Sequence, residues 1–177
     1  MGGTFTGSTS GTGTLAGSCG NSSGSPEKVF QWTPSVSGTA TIQTCGSGTN
    51  YDSVVYVRNG SCASGAEVAC NDDACANSTG AGVASRITPT VTAGQTYFIV
   101  VDGFGGAAGT FSLAVTPAAP CLLDVDGNGV AQVSTDVVYI ARHLLGLTPV
   151  PPSFRVLDPT IPSDAVIGGR VDALCPP

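Results

Sequence analysis

Between residues 27 and 117, apolar and polar positions alternate in short runs separated by glycine, proline, serine and asparagine. The runs are EKVFQWTP, GTATIQTC, DSVVYVRNG, SRITPTVTAG, QTYFIVVDGF and TFSLAVTP, each alternating or dense in β-branched and aromatic residues. A period of two puts successive side chains on opposite faces, so the runs predict short strands joined by tight turns. Phe30 and Trp32 share one face of the first run, and Ala40 and Ile42 share one face of the second. In QTYFIVVDGF, Tyr97, Ile99 and Val101 oppose Thr96, Phe98 and Val100. A run apolar on both faces predicts a central strand covered on both sides. Together these strands predict a mainly β fold, an antiparallel jelly-roll-like sandwich.

The pattern changes after PAAPC, residues 117–121. Val137, Val138, Ile140, Ala141, Leu144 and Leu145 recur at helical spacing, with Thr135 and Asp136 at the N-cap and Gly146 as the stop. A second short helix is expected from Asp164 to about Leu174. The chain therefore divides into an arm (1–25), a sandwich (26–117) and a small helical module (118–177). A module that short buries little core, so a Cys121–Cys175 disulfide is the expected clamp across its ends. The arm is rich in Gly, Ser and Thr and is expected to be flexible unless something holds it. Its stretch GTFTGSTSGTGTLAG alternates with small side chains, which suits an intermolecular strand added to a neighbour's open sheet edge.

Only 10% of residues are charged and the formal net charge is −6, with no basic patch. Such a surface repels phosphate backbones, which argues against nucleic acid. No apolar run is long enough to span a membrane. The sequence does not open with a signal peptide, so an exported protein of this kind is expected to begin inside a longer precursor or with a supplied Met. There are seven cysteines and one histidine, and no CxxC spacing. Zinc is a poor match to that set, and disulfides formed in an oxidising compartment, extracellular or at a bacterial cell surface, are the better one. Spacing leaves the connectivity open. Cys62 and Cys70 flank a hairpin-like loop, and Cys45 and Cys75 fall in loops that can be neighbours. With those pairs and Cys121–Cys175, Cys19 remains as the candidate for an intermolecular bond.

The clearest candidate chemistry lies in DVDGNGVAQVSTD. Asp124, Asp126 and Asn128 occupy the first, third and fifth positions of a calcium loop, Gly129 makes the sharp turn, and Val130 offers its backbone carbonyl. The closing carboxylate is expected from Asp136, one residue later than in an ordinary loop, across a bulge between Ala131 and Val133. A second acidic group, CNDDAC, carries Asn71, Asp72 and Asp73. Together with Asp52 and Asp102, each beside a strand end, it suits either a calcium site at one end of the sandwich or a solvated turn. Catalysis has little support. GNSSG, residues 20–24, matches a GxSxG pattern but lacks the strand-to-helix setting of a nucleophile elbow, and His143 lies on a helix of the other module. A non-catalytic protein is expected.

Residues 26–116, through SPEKVFQWTPSVSGTATIQTCGS, YDSVVYVRNGSC, EVACNDDAC and AGQTYFIVVDGFGGAAGTFSLAVT, resemble the bacterial pre-peptidase C-terminal domain. That resemblance implies a secreted, non-catalytic β-sandwich, often calcium-stabilised, and tips the second acidic group toward metal. Residues 124–147, through DVDGNG, STD and LLGL, resemble the first half of a dockerin, a calcium loop followed by a helix. The second half departs from the pattern, since LDPTIPSDAVIGGRVDAL has no DxDxDG. The expected function is that of a secreted calcium-binding structural protein, partnered by copies of itself or by another secreted or cell-surface protein in a filament or surface assembly. The alternative is an accessory binding or targeting module of a secreted peptidase or glycoside hydrolase.

Overall fold

The computed structural model describes residues 2–118, 137–149 and 163–174. The chain forms two compact units, Met1–Ala119 and Pro120–Pro177. The first is an antiparallel β-sandwich. One sheet has the order β1–β10–β4–β7, from Gly3–Ser8, Thr110–Thr116, Thr41–Gln43 and Arg86–Ile87. The other has the order β2–β9–β5–β6, from Lys28–Trp32, Tyr97–Gly103, Ser53–Asn59 and Ala66–Asn71. A ribbon of β3 (Gly38–Thr39) and β8 (Thr90–Val91) completes it.

The alternation along the strands sets the core. Val55, Val57, Tyr97, Ile99 and Val101 point from the second sheet toward Ile42, Ile87, Phe111, Leu113 and Val115 of the first, and all are buried. The other face of β5 and β9 presents Val54, Tyr56 and Val100, which are buried too, with Leu15, Cys19 and Cys70 packed against them. Strand β9 lies between β2 and β5 and is covered on both faces, as its apolar sequence demands. Burying a valine-sized side chain contributes roughly 1.5–3 kcal/mol, so covering this outer face is a substantial stabilisation.

The cover is the N-terminal segment, and here the structure corrects the sequence reading. Residues 3–8 are an edge strand of their own sheet, paired with β10 from Gly3↔Val115 to Ser8↔Thr110. A strand tethered to its own sandwich meets β10 at a high effective concentration, which favours it over a neighbour's strand. Gly7 lies over the Phe111 ring, where an added Cβ would come within 2.8 Å of the ring. The chain then crosses to the second sheet. There Gly17 lies so close to Tyr56 and Cys70 that a Cβ would come within 2.7 and 2.9 Å of them. Arg58 donates to the Ala16 carbonyl at 2.7 Å, Glu67 accepts from the Ser18 amide at 3.1 Å, and Cys19 is disulfide-bonded to Cys70.

The cysteine pairing differs from expectation in the same place. Cys45 is bonded to Cys75, but Cys70 is bonded to Cys19, and Cys62 is the free thiol among the described residues. In the β5–β6 ladder Cys70 lies opposite Tyr56, on the face that the arm covers. Cys62 sits in the turn between the two strands, several strand steps of about 3.3 Å away. Cys19 is thus committed within the chain rather than to a partner. Cys121 and Cys175 lie outside the described residues, as does the loop with Asp124, Asp126, Asn128, Val130 and Asp136.

Of the second unit the structure describes two helices, α1 (Val138–Leu144) and α2 (Asp164–Leu174). Gly146 at φ +70° closes α1: its amide donates to the His143 carbonyl and that of Leu147 to the Arg142 carbonyl, both at 2.9 Å. The buried apolar side chains of these helices are Tyr139, Ile167 and Val171, among the described side chains. Leu144 and Leu145, expected in the apolar stripe, are 75% and 74% exposed. His143, one turn from Tyr139, instead faces Gly168 of α2, where an added Cβ would lie 3.1 Å from the imidazole.

Asp102 anchors the arm from beneath. It is fully buried and accepts from the Gly103 amide at 2.8 Å and from the Tyr56 hydroxyl at 3.2 Å, with the Ser22 hydroxyl also close enough to favour its charged form. Burial pushes its pKa from 3.8 up to about 6, partly opposed by those three groups. A carboxyl with a raised folded-state pKa stabilises the fold most when protonated. Its contribution therefore falls as pH rises from about 4 to about 6 and is level above that range. The stability difference between wild type and Asp102→Asn, from urea unfolding of each at a series of pH values, is expected to change across that window and nowhere else near neutrality. Leu113→Ala, a truncation in the core, should cost about 2–5 kcal/mol in the same assay, followed by Trp32 fluorescence.

Candidate metal centre

The segment Cys70-Asn71-Asp72-Asp73-Ala74-Cys75 is fastened at both ends, by Cys19–Cys70 and by Cys45–Cys75. It leaves β6 just after Asn71, which pairs with Val55, and so runs past the start of β5. Asp52 immediately precedes that start. Backbone hydrogen bonds fix both stretches: the Asp52 carbonyl accepts from Phe104 at 3.0 Å, and the Ala74 and Cys75 amides donate to Ala84 at 2.8 and 2.9 Å. The Ser85 hydroxyl donates to the Asp72 carbonyl at 2.7 Å.

Side-chain oxygens of Asp52, Asp72 and Asp73 consequently lie within 4.8 Å of one another. Asp73 is exposed and the other two are half-buried. One buried oxygen each of Asp52 and Asp72 meets no hydrogen-bond donor. Burial raises the pKa of Asp52, and the charges of Asp72 and Asp73 raise it further. Burial and then Asp73 raise that of Asp72. Each pair of like charges at such a separation repels by about 1 kcal/mol in water, and by more where water is excluded.

The donor set suits a hard cation. Calcium takes oxygens at about 2.3–2.6 Å, so two oxygens on one ion can be no more than about 5 Å apart, and these three satisfy that limit. The nearby cysteine sulfurs are held in disulfides and no histidine belongs to the group, so the sulfur and nitrogen donors that zinc favours are missing from it. The arm also borders the site: Gly20, at φ +65°, lies so close to Asp72 that an added Cβ would be 3.1 Å from its carboxylate. The neighbouring Asn21 carbonyl accepts from Gly105 at 2.7 Å.

Of the other residues expected in this group, Asn71 has its side-chain oxygen hydrogen-bonded and Asp102 lies outside it. The Asn71 side-chain oxygen accepts from the Arg86 amide at 3.0 Å. Asp102 lies opposite Val54 on the far side of β5 from β6, and its oxygens are engaged by Gly103 and Tyr56. The strand separating it from Asp72 amounts to about two interstrand spacings, on the order of 10 Å. Sequence reasoning did not anticipate Gly20, because its approach depends on a disulfide between residues 51 positions apart. Ser22 of GNSSG is buried, and its hydroxyl accepts from the Gly17 amide at 3.1 Å, so that motif is a peg beneath the arm.

No protein-family model matches the chain, and neither does any curated protein. Among solved structures it is similar to a GH26-CBM35 beta-(1,4)-mannanase of Podospora anserina, at 15% identity and a TM-score of 0.29, over 66% of this chain and 26% of that one. The chain thus spans about a quarter of that enzyme's length, and a likeness this low carries no argument about function.

Proposed function

We propose that the chain is a non-catalytic, calcium-binding structural module of an extracellular or bacterial-surface protein, working by contact with copies of itself in a filament or surface assembly. The observation that carries the metal reading is the group of three carboxylates, two with buried oxygens that lack a donor, on a segment pinned by two disulfides. Folding has placed like charges together at a cost, and a divalent cation is the partner that reverses its sign. Disulfides supply the case for export, since they persist in oxidising compartments. Among the described residues no helix is long and apolar enough to cross a membrane.

Asp52, Asp72 and Asp73 would hold the ion, and water or backbone carbonyls would fill its remaining positions. The ion would neutralise the carboxylates and tie the start of β5 to the end of β6. The two candidates for catalysis have structural surroundings: Ser22 is buried beneath the arm and His143 faces Gly168. The resemblance to pre-peptidase C-terminal domains agrees with a non-catalytic module.

Calcium that binds only the folded form stabilises it by about 2.7 kcal/mol when its concentration is a hundredfold above the dissociation constant. The sandwich transition, followed through Trp32, is therefore expected at a higher Tm in calcium than in excess chelator, and Asp72→Asn should abolish most of the shift. Asp126→Ala, in the loop of the other unit, should leave the Trp32 transition unchanged. A wild-type Tm indifferent to calcium would overturn the metal reading.

A further inference from the structure

The sandwich has four outer strands, β1 and β7 in one sheet and β2 and β6 in the other. Three carry features that discourage edge pairing. Strand β7 is two residues long with Pro89 soon after it, β6 carries Glu67 and faces a bulge between Val57 and Arg58, and β2 carries Lys28 beside Glu27. Strand β1, GTFTGS, has six residues in unbroken register with β10, and no charge, proline or bulge. Among the described residues no strand pairs with its outer edge.

The direction of its free groups follows from one hydrogen bond. The Thr9 amide donates to the Gly109 carbonyl at 2.9 Å, which continues the β1–β10 register and makes Thr9↔Gly109 a hydrogen-bonded pair. Because such pairs alternate, Gly3, Phe5 and Gly7 bond to β10, while Thr4, Thr6 and Ser8 turn their N–H and C=O groups outward. Beneath the edge, Phe5, Val29, Phe30, Trp32, Ile99 and Val115 line a slot of about 290 Å³ between the two sheets. Phe5 and Val29 are each 41% exposed at this side. The Phe5 ring lies 5.7 Å from that of Phe30, on the inner face. The Trp32 indole N–H is buried without a partner.

We propose that this edge is a homotypic interface, at which β1 pairs antiparallel with β1 of a second copy about a two-fold axis at Phe5. The inference rests on the reading of the chain as an assembly module and names its surface and partner. With Phe5 opposite Phe5, Thr4 of each copy exchanges hydrogen bonds with Thr6 of the other, which uses the outward groups. Phe5 then forms the close, non-hydrogen-bonded pair, with Cα atoms about 4.5 Å apart. Side chains directly opposite lie on the same face, so the ring from each copy falls beside the other's slot. A cavity of roughly 150 Å³ already holds benzene, so the slot has room for a phenyl ring. Self-pairing suits an uncharged strand in a chain of net charge −6, because no like charges meet along it. The two-fold closes the contact, giving a dimer through this edge rather than an open fibre. Six residues a side make a small interface, so the dimer should be weak and concentration-dependent.

Sedimentation velocity over a concentration series, with calcium and with chelator, tests this together with the emission of Trp32, the only tryptophan. Wild type is expected to dimerise and its emission to shift with concentration. Phe5→Glu and Thr6→Pro, the latter removing an outward N–H that bonds nothing in the monomer, should both be monomers with constant emission. Thr6→Lys is expected to do the same, and it keeps the proposal testable if the proline variant unfolds. Association that survives all three variants, or that disappears in Cys62→Ser, overturns this interface while leaving the assembly reading standing. A wild type that stays monomeric at every concentration overturns both, whatever other strand the edge accepts. The calcium reading stands or falls separately on the Tm.

Discussion

The two disulfides at Cys70 and Cys75 are the constraint on which much of the structure depends. Cys19–Cys70 holds the N-terminal segment over Val54, Tyr56 and Val100, so the central strands β5 and β9 of the second sheet are covered on both faces. Cys45–Cys75 ties the same short segment to the chain leaving β4. Between the two bonds the backbone has little freedom to separate Asp72 and Asp73 from Asp52, and three carboxylate oxygens remain within 4.8 Å. The cost of that crowding is carried by covalent links and by the sandwich core.

Much of the sandwich was legible because its strands are coded locally. The period of two in the 97–101 stretch, apolar on both faces, specified a central strand, and β9 occupies that place. Alternation also put Phe30 with Trp32 and Ala40 with Ile42 on shared faces, and those faces meet the core, with Phe30 half-buried against it. Strand β6 was missed because AEVACN carries only one large apolar side chain, Val68, which is exposed; it is recruited by pairing with β5. The arm was misjudged for a related reason. Its Gly, Ser and Thr residues describe flexibility in isolation, whereas its position follows from contacts with Phe111, Tyr56 and Cys70 far away in sequence.

The candidate site was legible in part. CNDDAC and Asp52 could be grouped because each stands beside a strand end, and the β5–β6 register brings them together. Asp102 stands beside a strand end as well, but β5 lies between it and β6. Sequence spacing carries no information on strand order, so nothing local separated the two cases. The stripe on α1 failed in the same way: Leu144 and Leu145 have helical spacing, yet Tyr139 on another face is the residue that is buried.

In the reading proposed above, Asp52, Asp72 and Asp73 share one cation. Diffraction from crystals of the full chain grown in calcium, recorded where calcium scatters anomalously, tests it most directly. An anomalous peak is expected about 2.3–2.6 Å from oxygens of all three carboxylates. A map at saturating calcium with no peak between them would contradict it.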